Sequence, residues 1–236
     1  MPVIILPKPK KELPSVEVSV NSGKGEPSTG TVCSDTNRPV KHAETSFILE
    51  TPTVKQDMAV AVCSPLVFTP NQCTSIILDA HVAGMERAKI LRNGKSVKSY
   101  ARTCSSTWLP RNEKNDWMYR RMIETTAEIN ANNYGFHIDG IQSIQILRYQ
   151  PLQRFYWHYD SYLDSGRKIT AVVNLSDPKD YVAGGLRVLG EIHNKKYLRD
   201  RGAGVWFPSC LRHCAKAPWW GERWVLVAWF LGGNFR

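Results

Sequence analysis

Four side chains in the C-terminal half have the types and spacing for metal chemistry. Phe155-Tyr-Trp-His158-Tyr-Asp160 reads as a strand, in which alternate side chains share a face, so the His158 imidazole and the Asp160 carboxylate converge. His213, at the end of Gly204-Val-Trp-Phe-Pro-Ser-Cys-Leu-Arg-His213, follows Asp160 after a gap of 52 residues, and ten residues later Arg223 opens a strongly apolar strand. Two imidazoles and one carboxylate suit a non-haem Fe(II) ion and leave three coordination positions open. Arg223, Val225, Val227 and Trp229 share one strand face, which places a guanidinium on an otherwise apolar wall. A buried guanidinium needs an anion, either a bound ligand or an internal Asp or Glu. A second His-x-Asp, His137-Ile-Asp139, lacks an arginine at matching distance and reads as a surface or helix-supporting pair. Cys210 and Cys214 flank His213, but no Cys-x-x-Cys pair exists to complete a zinc site.

The elements that must position these groups follow from periodicity. Short β-rich runs at 141–149, 155–160, 168–175, 186–189, 204–207 and 224–231 are separated by Gly, Pro, Asp and Asn, with no helical segment between them. That pattern predicts an antiparallel sandwich or barrel, with the last run, apolar on both faces, as a central strand. Upstream, Thr69-Pro-Asn-Gln72 is a capping box that starts a helix whose face carries Ile76, Ile77, Ala80, Gly84 and Leu91, ended by Asn93-Gly94. A second helix over 115–131 presents Met118, Met122, Thr125 and Ile129. Both helices are expected to cover one sheet, because an exposed apolar face is costly.

The chain has 236 residues, 42% of them hydrophobic, enough for one large or two small domains with a sizeable core. No apolar run approaches the roughly 20 residues of a membrane span, and the N-terminus does not read as a signal peptide, so a cytoplasmic location is expected. The six cysteines are scattered and are expected as free thiols. Residues 1–57 hold seven cations and seven anions and are rich in Pro, Lys, Ser, Thr and Glu, which predicts a disordered tail or linker before a catalytic domain at 58–236. The whole net charge of +10 therefore sits on 58–236. Such a surface raises encounter rates with an acidic protein segment, an anionic small molecule or nucleic acid, and does not choose among them. Lys195, Lys196 and Arg199 read as a solvated hairpin or a groove lining, with His193 exposed beside them.

The run Tyr149, Phe155-Tyr-Trp-His158-Tyr-Asp160, Arg167-Lys-Ile-Thr170, Gly184-Gly-Leu186, Phe207-Pro-Ser, His213, Gly221-Glu-Arg223 and Ala228-Trp-Phe230 resembles the 2-oxoglutarate- and Fe(II)-dependent oxygenases of the prolyl 4-hydroxylase-like type. The resemblance is strong over 141–231 and weaker over the helices at 69–131. It implies a mainly β fold with α support: a double-stranded β-helix, or jelly-roll, with N-terminal helices packed on one sheet.

By position, the resemblance implies that His158, Asp160 and His213 hold the iron and that Arg223 binds the distal carboxylate of 2-oxoglutarate. Tyr149 is similar to a tyrosine that contacts the cosubstrate; its alternative is a core tyrosine at a strand end. Asn174 stands where related enzymes often carry a second tyrosine, and its amide can still donate a hydrogen bond. Leu186-Arg187 after the glycine pair and Ala217-Pro-Trp-Trp220 depart from the family pattern. The implied reaction uses Fe(II), 2-oxoglutarate and O2, with ascorbate as reductant, and hydroxylates an unactivated C–H of a peptidyl or amino-acid-like substrate with release of succinate and CO2. Asp160 fits hydroxylation, since halogenating relatives lack that carboxylate. Fe(II), Asp160, 2-oxoglutarate and Arg223 have charges that sum to zero, so a closed pocket strands none of them. The alternatives are a nucleic-acid-directed oxygenase and a non-catalytic binding module. Oligomeric state is not readable from this sequence.

Overall fold

In Arg223-Trp-Val-Leu-Val-Ala-Trp-Phe-Leu231 both sets of alternate side chains are apolar, so this strand has to be covered on both faces. The computed structural model describes residues 3–5, 60–92, 95–161 and 166–233. In chain order these form β1 (Val3–Ile5), β2 (Val60–Ser64), α1 (Pro70–Ala83), β3 (Glu86–Arg87), β4 (Ile90–Arg92), β5 (Lys95–Val97), β6 (Ser105–Leu109) and α2 (Asp116–Ile129). There follow β7 (Gly140–Gln142), β8 (Ile144–Tyr149), β9 (Phe155–His158), β10 (Arg167–Asn174), β11 (Tyr181–Val188), β12 (Glu191–His193), β13 (Gly204–Pro208), β14 (His213–Gly221) and β15 (Arg223–Leu231).

Strand β15 lies inside a large sheet of order β12-β2-β13-β10-β15-β8-β6-β3, and β11-β14-β9 form a second, three-stranded sheet. Val225, Val227 and Trp229 share a core cluster with Leu147 and Val172 of the large sheet and Leu186, Val188 and Ala215 of the small one. The opposite face of β15, Trp224, Leu226, Ala228 and Phe230, belongs to a second cluster with Ile76 and Ala80 of α1 and Met118 and Met122 of α2. Each fully buried aliphatic or aromatic side chain contributes roughly 1.5–3 kcal/mol, so these two clusters are the main stabilising term of the jelly-roll.

The capping box forms as read: the Thr69 hydroxyl accepts from Gln72 N, and the Gln72 side chain accepts from Thr69 N. The helix ends earlier than its periodicity implies. It stops at Ala83, where Gly84 takes a φ of 82°, and Leu91 falls in the β4–β5 hairpin instead. Apolar residues on either side of a glycine continued the helical pattern without belonging to it. In α2 the buried polar position is Thr126 rather than Thr125: its hydroxyl accepts from Trp206 Nε1 at 2.7 Å, tying the helix to β13. Strand β14, and β2 and β6, each next to an end strand of the large sheet, were not read from the sequence. The Pro and charged residues of 213–221 hide the alternation of β14, because its outward face is solvated.

The expected tail at 1–57 lies outside the described residues, save for Val3–Ile5, which pair with β7. Cys63, Cys73, Cys104, Cys210 and Cys214 are free thiols, and Cys33 lies outside the described residues. Among the described residues, no helix is long and apolar enough to cross a membrane.

Candidate metal centre

Strand pairing brings the two histidines together. His213, the first residue of β14, is the register partner of His158, the last residue of β9. Asp160 follows β9 directly, and its backbone N–H donates to Ser209 O at 3.0 Å, so the Phe207-Pro-Ser209 turn fixes where the carboxylate lies. The ligand atoms of His158, Asp160 and His213 all lie within 4.8 Å of one another. Each imidazole bonds through Nδ1 to the carbonyl two residues before it, His158 to Tyr156 O at 2.7 Å and His213 to Leu211 O at 2.9 Å. A carbonyl can only accept, so Nδ1 carries the proton and the Nε2 lone pair is left to coordinate.

Two donors hold the carboxylate. Asp160 Oδ2 accepts from Thr170 Oγ1 and from Trp229 Nε1, each at 2.9 Å, and lies 3.3 Å from His213 Nε2, while Oδ1 lies 3.6 Å from His158 Nε2. Burial pushes the Asp160 carboxyl upward, but the adjoining His213 and His158 and the Trp229 hydrogen bond outweigh it. The group is therefore ionised well below the usual carboxylate range. Burial, and then the His213 charge, lower His158 to about 4 against an opposing pull from Asp160. At neutral pH the cluster thus offers a neutral imidazole beside an ionised carboxylate, and its composition fits a divalent ion such as Fe(II).

Arg223, at the start of β15, pairs in register with Tyr149 at the end of β8. Its guanidinium is buried, lines the same cavity of about 940 Å³ as the two histidines and Asp160, and lies 5.9 Å from the Tyr149 ring centroid. Among the described residues no carboxylate lies within 4.0 Å of it, so the internal ion pair does not form. Its hydrogen-bond partner is neutral: Nη2 donates to Asn174 Oδ1 at 2.8 Å, while Nε is buried without a partner. Asn174 itself is turned away from the cavity lining and spans Arg223 and Leu198 O, to which Nδ2 donates at 2.6 Å. Tyr149 does line the cavity, and burial raises its phenol well above the ordinary value of 10, so it remains a hydrogen-bond donor.

Thr170, Trp229 and Ser209 are the site residues that motif reading did not assign. Thr170 sits on β10 on the same face as Val172, and Trp229 on β15 on the face of Arg223, so strand parity pointed both towards the centre. No sequence signal marks which apolar-wall residue reaches Asp160. His137 and Asp139 are exposed, as are His193, Lys195, Lys196 and Arg199.

Residues 144–231 match the sequence model of the 2OG-Fe(II) oxygenase superfamily. The fold is similar to that of a Pseudomonas putida prolyl-4-hydroxylase, at 17% identity and a TM-score of 0.59 over 73% of this chain and 92% of that one. It is also similar to a viral collagen prolyl hydroxylase from Paramecium Bursaria Chlorella virus-1, solved with 2OG, at 17% identity and a TM-score of 0.54 over 73% and 96%. A prolyl hydroxylase from Trichoplax adhaerens, in complex with a hypoxia inducible factor peptide fragment, gives 15% identity and a TM-score of 0.58 over 72% and 83%. No curated protein matches the sequence.

Proposed function

We propose that this protein, whose residues 144–231 match the 2OG-Fe(II) oxygenase superfamily, hydroxylates an unactivated C–H of a peptidyl, prolyl-like or amino-acid-like substrate and releases succinate and CO2. One observation carries the reading: a convergent His158, Asp160 and His213 share a cavity with a buried arginine that has no internal carboxylate partner. When bound, Fe(II) with 2-oxoglutarate and O2 supplies an oxidant that puts one oxygen atom into the C–H bond and the other into succinate.

The protein's own residues have narrower tasks. His158 and His213 present Nε2, fixed by the carbonyls on Nδ1, and Asp160 presents Oδ1, fixed by Thr170 and Trp229 on Oδ2. Arg223 receives the distal carboxylate of the cosubstrate, with Asn174 steadying its guanidinium and the protonated Tyr149 as a second donor. Leu147, Val172, Val225 and Val227 exclude water from the surroundings of these charges, which strengthens each interaction. The peptide in the Trichoplax adhaerens complex supports a peptide as the class of substrate.

The test is succinate formation by the purified protein with Fe(II), 2-oxoglutarate and ascorbate, together with a search for +16 Da products in a host lysate. Iron-dependent succinate that disappears in Asp160→Ala supports the assignment. Unchanged turnover in Asp160→Ala, or no iron-dependent succinate from the wild type, overturns it.

A further inference from the structure

The cavity contains more positive charge than metal and cosubstrate would use. Among the described residues, Arg87, Lys89, Arg102, Arg167 and Arg223 line it, against Glu86 and Asp160, a formal excess of three cations. A divalent metal and a doubly charged keto acid cancel each other, so the excess survives loading of the site. Outside the cavity, Arg111 and Arg120 both meet Asp116, and Arg148 meets Glu222.

Arg102 lines the cavity one aromatic ring away from a metal ligand. Its guanidinium stacks 4.8 Å from the Phe155 ring centroid, and Phe155 stacks on the His158 ring at 3.5 Å. Two of its five N–H groups are used, both on neutral acceptors: Nη1 donates to Lys89 O at 3.2 Å and Nη2 to Gln145 Oε1 at 2.9 Å. Nε is buried with no partner, and among the described residues no carboxylate lies within 4.0 Å. These contacts hold the guanidinium plane in place without neutralising it. With one N–H left on each of Nη1 and Nη2, a guanidinium so held at a cavity wall matches the two oxygens of a carboxylate.

We propose that the substrate of this cavity presents a carboxylate beside the carbon that is oxidised, and that Arg102 is the residue that receives it. The inference rests on the oxygenase reading above and deepens it to a substrate class. The carboxylate belongs either to an Asp or Glu next to the target in a peptide or to a free amino acid. A nucleic acid fits less well, because its charges form a repeating track of phosphates, whereas Arg102 lines a cavity one ring away from a metal ligand.

The experiment uses the full chain loaded with Mn(II), as a redox-silent stand-in, and saturating 2-oxoglutarate. Fluorescence anisotropy compares three labelled proline-centred peptides that differ only in flanking Asp, Asn or Lys, with free L-glutamate and L-proline as competitors. The Asp peptide is expected to bind about tenfold more tightly than the Asn peptide, the worth of one charge-assisted hydrogen bond. Arg102→Gln is expected to bring that ratio to about one, and Arg102→Lys to retain part of it. Displacement by millimolar free amino acid assigns the carboxylate to a free substrate, and its absence to a peptide. Equal or undetectable binding of all three peptides without displacement by either amino acid, an unchanged ratio in Arg102→Gln, or tighter binding of a single-stranded oligonucleotide overturns the proposal. The wild-type preference needs no variant, so a misfolded Arg102→Gln protein does not protect the idea. Succinate formation without carboxylate preference sinks this inference alone, and preference without succinate sinks only the oxygenase reading.

Discussion

His158 and His213 are register partners across the β9–β14 ladder, with ring centroids 4.2 Å apart, although 54 residues lie between them in sequence. The metal site is therefore a property of strand pairing: a slip of β14 by one residue would turn His213 to the other face and replace it with Arg212 or Cys214. The Nδ1 carbonyl bonds come from the same two chain segments, so ladder and tautomer are fixed together.

The donors behind Asp160 tune metal affinity without touching the ion. Thr170→Val and Trp229→Phe each remove one hydrogen bond to Oδ2. Each is expected to weaken Mn(II) or Fe(II) binding about 10–100-fold, the usual effect of an outer-sphere partner. Isothermal titration checks this, and an unchanged affinity in both variants would show that packing alone holds Asp160.

Arg223 is expected to act on the cosubstrate and not on the metal. Arg223→Gln raises the KM for 2-oxoglutarate about 100-fold or more, as expected for a lost buried charge pair of roughly 3 kcal/mol. Arg223→Lys loses less, since it keeps the charge but not the fork. Metal affinity measured without 2-oxoglutarate should stay within a few-fold of the wild type in both.

Acid should weaken the metal-free fold through the site. His158 titrates at about 4 in the folded protein, against about 6.5 when unfolded. As pH falls, the unfolded chain binds the proton first, so stability is full above about pH 6.5 and is lost progressively down to about pH 4, by on the order of 3 kcal/mol. Asp160, whose folded pKa is depressed, adds a further loss at lower pH. Urea unfolding of chelator-treated protein at pH 7 and pH 4.5 measures this, and His158→Asn should flatten the difference. Identical pH dependence in the variant would remove His158 from the account.

Gly221 sets the approach of the chain to Arg223. It has a φ of 73°, and a Cβ there would lie 1.9 Å from Asp180 O, a backbone atom that cannot rotate away. Gly221→Ala is expected to cost about 2–4 kcal/mol and to lower Tm by roughly 5–10 °C. Gly135, with a φ of 69° and nothing within 4 Å of a built Cβ, pays for the backbone alone, so Gly135→Ala should cost about 1 kcal/mol. Equal melting shifts would mean the β11–β14 ladder gives way at Gly221.

Much of this protein was legible in one dimension. Short β-rich runs bounded by Gly, Pro, Asp and Asn marked β8, β10, β13 and β15, the His158-x-Asp160 spacing put two ligands on one face, and a lone arginine opening an apolar strand announced a buried cation. Those are local features, decided by the geometry of an extended chain. The tertiary structure decided which histidine joins them and which wall residues hold Asp160. Thr170 lies 10 residues from Asp160 and Trp229 lies 69, and only the β10–β15 pairing brings both to one oxygen. It also decided what Arg223 and Arg102 lack. Whether a carboxylate comes within reach of a buried guanidinium depends on every strand around the cavity, and no spacing along the chain encodes that absence.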